Sequence, residues 1–532
     1  MSACVACGYY LSSSSRHGVD SATRLAADLA GDEGMAALAR GDGVYAFAQW
    51  DKQREQLCVG VDKLGMRPLY WSALPGGGYA VASELKVLVS LQDRLEPDWC
   101  AWEEFLACGN VFGAHTFFHG IQRVGAAEAI TFSHDGHTSR IVERFLESIE
   151  VRDRPVEEFV EEQGAAFDAA MARLASLHDK PGKTILTLSG GHDSRRILAG
   201  LLKRDIRPEV YTVPEVLADG SEYESDIVRE LCHLTGLTGH HVYPATSVDR
   251  MSVRGLRDLA VDFESSGHNY STILALALDC ADCVNYDGLA GDIELSGLFM
   301  KPGYFQAGGD EAFVANWPHP PHGWMQLPGA NCRPLHDRLR AEFDRWTGHP
   351  NRFAYFYLMG RTRRMVSLAP LSLQANVFES LYPYLDRDVM RSAFGFPPAR
   401  FVGGYMQPRL IRALNSALGE ARSADALNSR AHKVSGVERR RERHALVRQA
   451  GRLPVTSRAW SGSASQKRRF QMIGALPFLV SGRQAFWEFG RAATLVQLAH
   501  FERVSRSSTD YRDAVMDLQD AFGRHGDWCR PL

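Results

Sequence analysis

The sequence predicts a mixed fold, a β-rich α+β unit followed by a larger α/β unit. Three observations carry this expectation. Short β-type runs crowd about the first 145 residues, strands and helices alternate after them, and roughly the last 180 residues pattern mostly as helix. In the first part the runs at 44–50, 56–61, 69–72, 79–83 and 127–132 are separated by turn signals such as Leu74-Pro-Gly-Gly-Gly78 and His134-Asp-Gly136, as antiparallel strands require. Residues 156–178 then carry Phe159, Phe167, Met171, Leu174 and Leu177 at helical spacing. A strand at 184–188, a helix at 194–203, a strand at 209–213, a helix at 224–235 and a strand at 240–243 follow, which predicts βαβ units and a parallel sheet. The expected boundary divides the chain into 1–148 and 149–532.

The 532 residues are 45% hydrophobic and 23% charged, with 60 Lys+Arg against 63 Asp+Glu for a net charge of −3. That is an ordinary globular composition, which excludes collagen, coiled coil and bulk disorder. The charge balance disfavours nucleic acid as the main partner. No apolar run approaches the ~18 residues of a membrane span, and Met1-Ser-Ala-Cys-Val-Ala-Cys-Gly8 lacks a signal-peptide pattern, so a soluble, cytoplasmic protein is expected. Ten cysteines are too dilute for a disulfide scaffold. The CxxC pairs Cys4/Cys7 and Cys280/Cys283 lie far apart and read as buried small hydrophobes in a reducing compartment.

The strongest chemical signal is the apolar run Thr184-Ile-Leu-Thr-Leu188 leading into Ser189-Gly-Gly-His-Asp-Ser194 and then a helix. Gly190 and Gly191 let backbone N–H groups approach a phosphate closely. The helix directs roughly half a unit of positive charge at the same place. Ser189 and Ser194 add hydroxyls. Asp193 would repel a phosphate unless a divalent cation sits between them. A bare glycine turn is the bland alternative, but the whole strand-loop-helix pattern points to nucleotide binding.

This motif resembles the PP-loop of the ATP-pyrophosphatase superfamily and lacks the G-K-[ST] ending of the Walker type. Three more segments narrow the resemblance to the asparagine synthetase family. Cys283-Val-Asn-Tyr-Asp-Gly-Leu-Ala-Gly-Asp292-Ile-Glu-Leu-Ser-Gly297 is similar to the family's S-G-E-G-A-D-E loop, with the Asp-Ile of its relatives the β-lactam synthetases. Phe378-Glu-Ser-Leu-Tyr-Pro-Tyr-Leu-Asp386 resembles L-E-x-R-x-P-F-L-D, and Asn428-Ser-Arg-Ala-His-Lys-Val-Ser-Gly-Val437 resembles R-P-K-x-G. Arg40-Gly-Asp-Gly-Val-Tyr-Ala-Phe-Ala-Gln-Trp-Asp51, Val61-Asp-Lys-Leu-Gly-Met-Arg-Pro-Leu-Tyr70, Ala82-Ser-Glu-Leu-Lys86 and Thr116-Phe-Phe-His-Gly-Ile121 resemble the glutaminase domain of the same enzymes.

The resemblance implies a degenerate N-terminal Ntn-hydrolase-like domain and a C-terminal PP-loop synthetase domain with a helical end. It implies ATP and Mg2+ as cofactors, with Leu188, Ser189, Gly190, Gly191, Asp193, Ser194, Val213, Gly288 and Leu289 at the nucleotide and Asp193 and Asp292 on the metal. Lys433 matches the lysine that stabilises charge near the α-phosphate. Glu264 and His268, in Asp262-Phe-Glu-Ser-Ser-Gly-His268, match a region lining the substrate pocket.

The chain also departs from the family. Position 2 is Ser where the family exposes a nucleophilic cysteine, although Cys7-Gly8 supplies one after trimming. The R-G-P-D and N-G-E-x-Y-N segments are absent, and the roughly 30 residues between Tyr10 and Gly41 cannot hold them. No glutaminase activity is therefore expected. Leu289 stands where the family carries its catalytic glutamate or tyrosine, and leucine accepts no proton. Tyr286, Asp287 or Glu379 must replace it, or the amine must arrive neutral. Tyr286 and Glu379 are taken as catalytic candidates, with Glu379 expected to be buried and raised in pKa. Gln407-Pro-Arg409 stands where a lysine is usual, with Arg409 a candidate substitute. Arg195 and Arg196 read equally as phosphate ligands or as an outer helix face. Residues 300–330, with Trp317-Pro-His-Pro-Pro-His-Gly-Trp324, read as a long lid loop. The basic run Glu438-Arg-Arg-Arg-Glu-Arg-His444 reads as a solvated helix face.

The expected function is an ATP-dependent amide-forming ligase that releases AMP and pyrophosphate. Its amine comes from a source other than glutamine, as in β-lactam or macrolactam closure in specialised metabolism. An ammonia-dependent asparagine synthetase and a non-catalytic nucleotide-binding protein are the alternatives. The expected partner is a small-molecule or peptide substrate bearing carboxylate and amine. A homodimer and a partner protein of a biosynthetic pathway stay open.

Overall fold

The computed structural model describes residues 2–12, 21–31, 34–92, 98–177, 183–212, 224–242, 283–295, 300–317, 332–368, 371, 379–402 and 406–424. The strands of the N-terminal part are β1 (Ser2–Leu11), β2 (Asp42–Asp51), β3 (Gln56–Val61), β4 (Tyr70–Ala73), β5 (Tyr79–Ala82), β6 (Ile121–Arg123), β7 (Glu128–Ser133) and β8 (Gly136–Ile141). They form two antiparallel sheets, ordered β1-β2-β3-β7-β8 and β5-β4-β6. β1 pairs with β2 along its whole length, from Ser2 opposite Asp51 to Leu11 opposite Asp42. Two glycines permit this contact: a Cβ on Gly8 would lie 2.1 Å from the Val44 carbonyl oxygen, and one on Gly43 would lie 2.2 Å from that of Tyr9. Both take positive φ, +92° and +118°, which favours glycine.

Around these sheets lie α1 (Ser21–Ala30), α2 (Leu85–Ser90) and α3 (Trp99–Cys108). Asp98 caps α3 by accepting from the backbone N–H groups of Cys100 and Ala101, and Gly109, at φ +80°, ends it. β1, β8 and these helices lack the alternation or length that made the other runs legible.

The second part is built on β9 (Thr184–Thr187), β10 (Glu209–Thr212), β11 (His240–Val242), β12 (Val284–Tyr286) and β13 (Glu379–Leu381), with α4 (Val156–Ala175), α5 (Asp193–Leu202) and α6 (Glu224–Thr235). The sheet runs β11-β10-β9-β12-β13, and every pair is parallel. α4 buries Phe159, Phe167, Met171 and Leu174 along the predicted stripe. The chain leaves β9 towards β10 and later returns to pair β12 on the other side. The β9–β12 boundary is therefore a topological switch point, the position at which open α/β sheets characteristically carry a crevice at their strand C-termini.

The two parts share one apolar cluster, in which Tyr9, Val44, Met66 and Phe112 pack with residues such as Tyr286, Phe356 and Tyr382. Buried arginines stitch the same seam. The π-helix Leu358–Val366 carries Arg363, which donates to the carbonyls of Gly65 (3.1 Å) and Val124 (2.7 Å). Its neighbour Arg364 donates to Gly113 (2.8 Å) and His115 (2.6 Å). Arg123 donates back to the Arg363 carbonyl at 3.1 Å.

A disulfide joins Cys100 to Cys332, tying α3 to the lead-in of the helix Leu335–Asp344. Arg338 of that helix pairs with Glu103 at 2.7 Å. Glu104 beside it is buried and accepts from the Phe112 N–H at 3.0 Å. Burial pushes the Glu104 carboxyl up to about 7, against the Phe112 hydrogen bond and Arg338. Its folded pKa lies above the ordinary value, so the folded state loses stability as pH rises towards 7. Glu104→Gln, which keeps the acceptor, should raise stability by roughly 1–3 kcal/mol at pH 8. Urea denaturation should show little change at pH 4.5.

Several expectations are corrected. Cys7 is exposed and Cys4 only half-buried, because β1 is an edge strand; Cys283 is buried and Cys280 lies outside the described residues. The stretch read as a lid holds the helix Gly309–Asn316, whose Phe313 packs on Phe343 and Phe353. Residues 318–331 lie outside the described residues. Among the described residues no helix is long and apolar enough to cross a membrane.

Candidate active site

β9 ends at Thr187, and the loop from Leu188 to His192 carries the chain into α5, which begins at Asp193. The loop closes on itself through hydroxyls. Ser194 Oγ accepts from the Ser189 N–H at 3.1 Å, and Ser189 Oγ accepts from the Gly191 N–H at 3.2 Å. Ser194, Leu188 and the core of α5 are buried, which anchors the loop on the sheet.

The loop after β12 meets it directly. A Cβ on Gly288 would lie 3.2 Å from Asp193 Cβ, and one on Gly291 would lie 2.8 Å from Asp193 Oδ1. A side chain at either position would crowd Asp193, so the two glycines bring the short helix Gly291–Leu295, which carries Asp292, up to it. Asp193 is held from two further sides. Gln407 Nε2 donates to its Oδ1 at 2.7 Å, and Tyr384 Oη donates to its carbonyl at 3.0 Å. Burial holds the Asp292 carboxyl above its ordinary value, with Arg361 pulling the other way. Glu294 is buried, and among the described residues neither of its carboxylate oxygens has a hydrogen-bond partner. Burial keeps its pKa well above the carboxylate range, although Arg196 opposes this.

Among the described residues no group of three His, Cys, Asp or Glu is placed to hold a metal ion. The two carboxylates of Asp193 and Asp292 are hard oxygen donors of the kind Mg2+ takes, one or two at a time, with phosphate oxygens and water completing its shell.

Tyr286 and Glu379 sit elsewhere. Tyr286 is buried, and its phenol is pushed up to about 12 by burial and, with Glu379 adding and Arg204 opposing, stays neutral near pH 7. Glu379 opens β13 opposite Val284, at the N-terminal edge of the sheet, and is exposed rather than buried. Leu289 is buried beside Gly288. Val213, Glu264, His268 and Lys433 lie outside the described residues.

Arg195 and Arg196 are buried and bonded to protein groups, so they do not form an outer helix face. Arg195 donates to the carbonyls of Gly190, Leu418, Ala421 and Arg422, which anchors the segment after the helix Met406–Leu414 under the loop. Arg196 donates to Gln163 and lies over the Phe167 ring at 4.1 Å. Arg409 pairs with Glu157 at the surface, 3.6 Å away, and it is Gln407, two residues earlier, that reaches the site. Arg409 stood out in the sequence as the nearest cation, but helix phase decides which side chain faces Asp193.

The glutamine amidotransferase domain family matches residues 12–145. The chain is 31% identical over 162 residues to asparagine synthetase [glutamine-hydrolyzing] 3 of Bacillus subtilis (strain 168), covering 30% of this chain and 25% of that protein. It is 27% identical over 216 residues to the asparagine synthetase [glutamine-hydrolyzing] of Cricetulus griseus, covering 38% and 35%. A putative asparagine synthetase [glutamine-hydrolyzing] of Mycobacterium bovis (strain ATCC BAA-935 / AF2122/97) is 27% identical over 227 residues, covering 41% and 33%. The matches thus span between a quarter and about a third of these relatives' lengths. They support the asparagine synthetase family.

Proposed function

We propose that the chain is an ATP-dependent amide-forming ligase that adenylates a carboxylate and joins it to an amine not taken from glutamine. The observation that carries this is the Ser189–Ser194 loop at the switch point, with Asp193 packed against the Gly288–Asp292 loop. The loop N–H groups, the Ser189 and Ser194 hydroxyls and the N-terminus of α5 would bind phosphate oxygens. Asp193 and Asp292 would hold Mg2+, which when bound offsets charge on the departing pyrophosphate. Lys433 is assigned to the α-phosphate, Val213 and Leu188 to the nucleotide, and Glu264 and His268 to the acceptor pocket.

In the reaction the substrate carboxylate attacks the α-phosphorus and displaces pyrophosphate. The amine then attacks the acyl carbon and AMP leaves. Independence from glutamine is supported by β1. Cys4 and Cys7 are paired within the strand, opposite Gln49 and Ala46, and neither offers a chain-terminal amine unless the chain is cut. The N-terminal part then has a structural role, bracing the segment that holds Asp193.

The test is release of AMP and pyrophosphate from Mg-ATP, with aspartate plus ammonium and then with amino acids and peptides carrying both groups. AMP only with a larger amine-bearing acid is expected. AMP with aspartate and ammonium would instead establish an asparagine synthetase. Mg-ATP binding with no AMP across the panel would establish a non-catalytic protein.

A further inference from the structure

We propose that Asp287 takes the proton from the attacking amine nitrogen, filling the role that Leu289 cannot; this rests on the ligase reading above. Asp287 is the first residue past β12, the strand between β9 and β13, so it stands at the C-terminal edge, where open α/β sheets characteristically carry a crevice. Its N–H donates to the Leu381 carbonyl at 2.9 Å, which fixes the backbone. Its Oδ1 accepts from the Leu289 N–H at 2.8 Å, which fixes the carboxyl. Among the described residues the side chain makes no other hydrogen bond, and it is half-buried, so it keeps acceptor capacity for a further donor. Only Gly288 separates it from the backbone that lies against Asp193.

The alternatives are placed worse. Tyr286 points into the core one residue earlier, and Glu379 stands at the far edge of β13. Among the described residues the titratable and charged groups near Asp287 are Tyr382, from the segment after β13, which also feels Arg67 and Glu379, and Asp193, across Gly288. Burial pushes the Asp287 carboxyl up to about 6, against the Leu289 hydrogen bond. A carboxylate of that basicity is mostly ionised at pH 7 and still takes up a proton readily.

The step balances. A neutral amine attacks the acyl-adenylate carbon and the C–N bond forms. The acyl C–O bond breaks with its electron pair leaving on AMP. The proton lost from nitrogen passes to the Asp287 carboxylate and then to water.

The test compares wild type with Asp287→Asn, using the carboxylate–amine pair that gives AMP. Three readouts are pyrophosphate exchange into ATP, amide formation, and trapping of the acyl group by hydroxylamine, which is neutral at pH 7. Expected for Asp287→Asn is unchanged exchange and hydroxamate yield, amide formation down at least about a hundredfold, and loss of an acid limb near pH 6. The double variant D287N/L289E, which returns a carboxylate two residues on, should recover part of the amide rate. An equal amide rate in Asp287→Asn overturns the proposal and leaves the ligase reading standing. Loss of exchange together with amide formation also overturns it, since Asp287 then serves binding or folding. No AMP from wild type with any pair removes the ligase reading, and this proposal with it.

Discussion

Asp193→Asn should lower AMP release from Mg-ATP by about 10²–10³-fold, the loss associated with removing a preorganised electrostatic contact to a transferring group. The isosteric amide keeps an oxygen for Gln407 Nε2 and leaves the backbone carbonyl that accepts from Tyr384 Oη. Its melting temperature should therefore stay close to that of wild type. Asp193→Ala should lose the same activity and stability as well. Gln407 is buried and its Oε1 has no hydrogen bond, so removing the Asp193 oxygen leaves the whole amide unsatisfied, at about 1–3 kcal/mol. Paired measurements of AMP release and thermal unfolding separate the two effects. Wild-type activity in Asp193→Asn would show that this carboxylate is not at the reacting phosphate.

The second large effect is expected at the seam between the two parts of the chain. Lys63 is buried at the seam, where its ammonium donates to Asp42 and, at 2.6 Å, to the Leu385 carbonyl. Burial alone would raise the Asp42 carboxyl, but Lys63 and the Arg387 N–H outweigh it and hold it below its ordinary value. Lys63→Met leaves that carboxylate with reduced compensation and the carbonyl without its donor. Breaking such a buried pair costs about 3–5 kcal/mol.

The pH dependence fixes the cause. A carboxyl held below its unfolded value of 3.8 contributes stability that is present above that value and lost as pH falls through the folded one. The gap between Lys63→Met and wild type in urea denaturation should thus be widest near neutrality and narrow towards pH 3. A gap independent of pH would assign the loss to packing instead. Leu385 follows Tyr384, whose hydroxyl braces Asp193, so Lys63→Met should also weaken Mg-ATP binding, readable by calorimetry.

Strands β2, β3, β9 and β10 were legible as short apolar runs bounded by turn signals, and α4 and α6 because each buries residues at helical spacing. The glycine loop and Asp193 were legible because the pattern Ser-Gly-Gly-x-Asp-Ser lies within six consecutive positions after an apolar run. β13 was not, because its three residues form a strand only when β12 offers an edge. The roles of Arg195, Arg196 and Gln407 were hidden for a related reason. A buried arginine among carbonyls and a solvated arginine on a helix share one letter, and only the packing partner distinguishes them. The Cys100–Cys332 bond joins residues 232 apart, a pairing that no local pattern encodes.

The sequence by itself thus determined the alternation of strand and helix from α4 to β11 and the residue pattern of the loop between β9 and α5, since both depend on neighbours along the chain. Tertiary structure alone decided which titratable group stands at the C-terminal edge of the sheet. Tyr286, Asp287 and Glu379 are equivalent candidates as letters. Strand direction places Asp287 at the open C-terminal edge, turns Tyr286 into the core and leaves Glu379 at the opposite end, because side-chain position in a parallel sheet follows from register and polarity rather than from residue type.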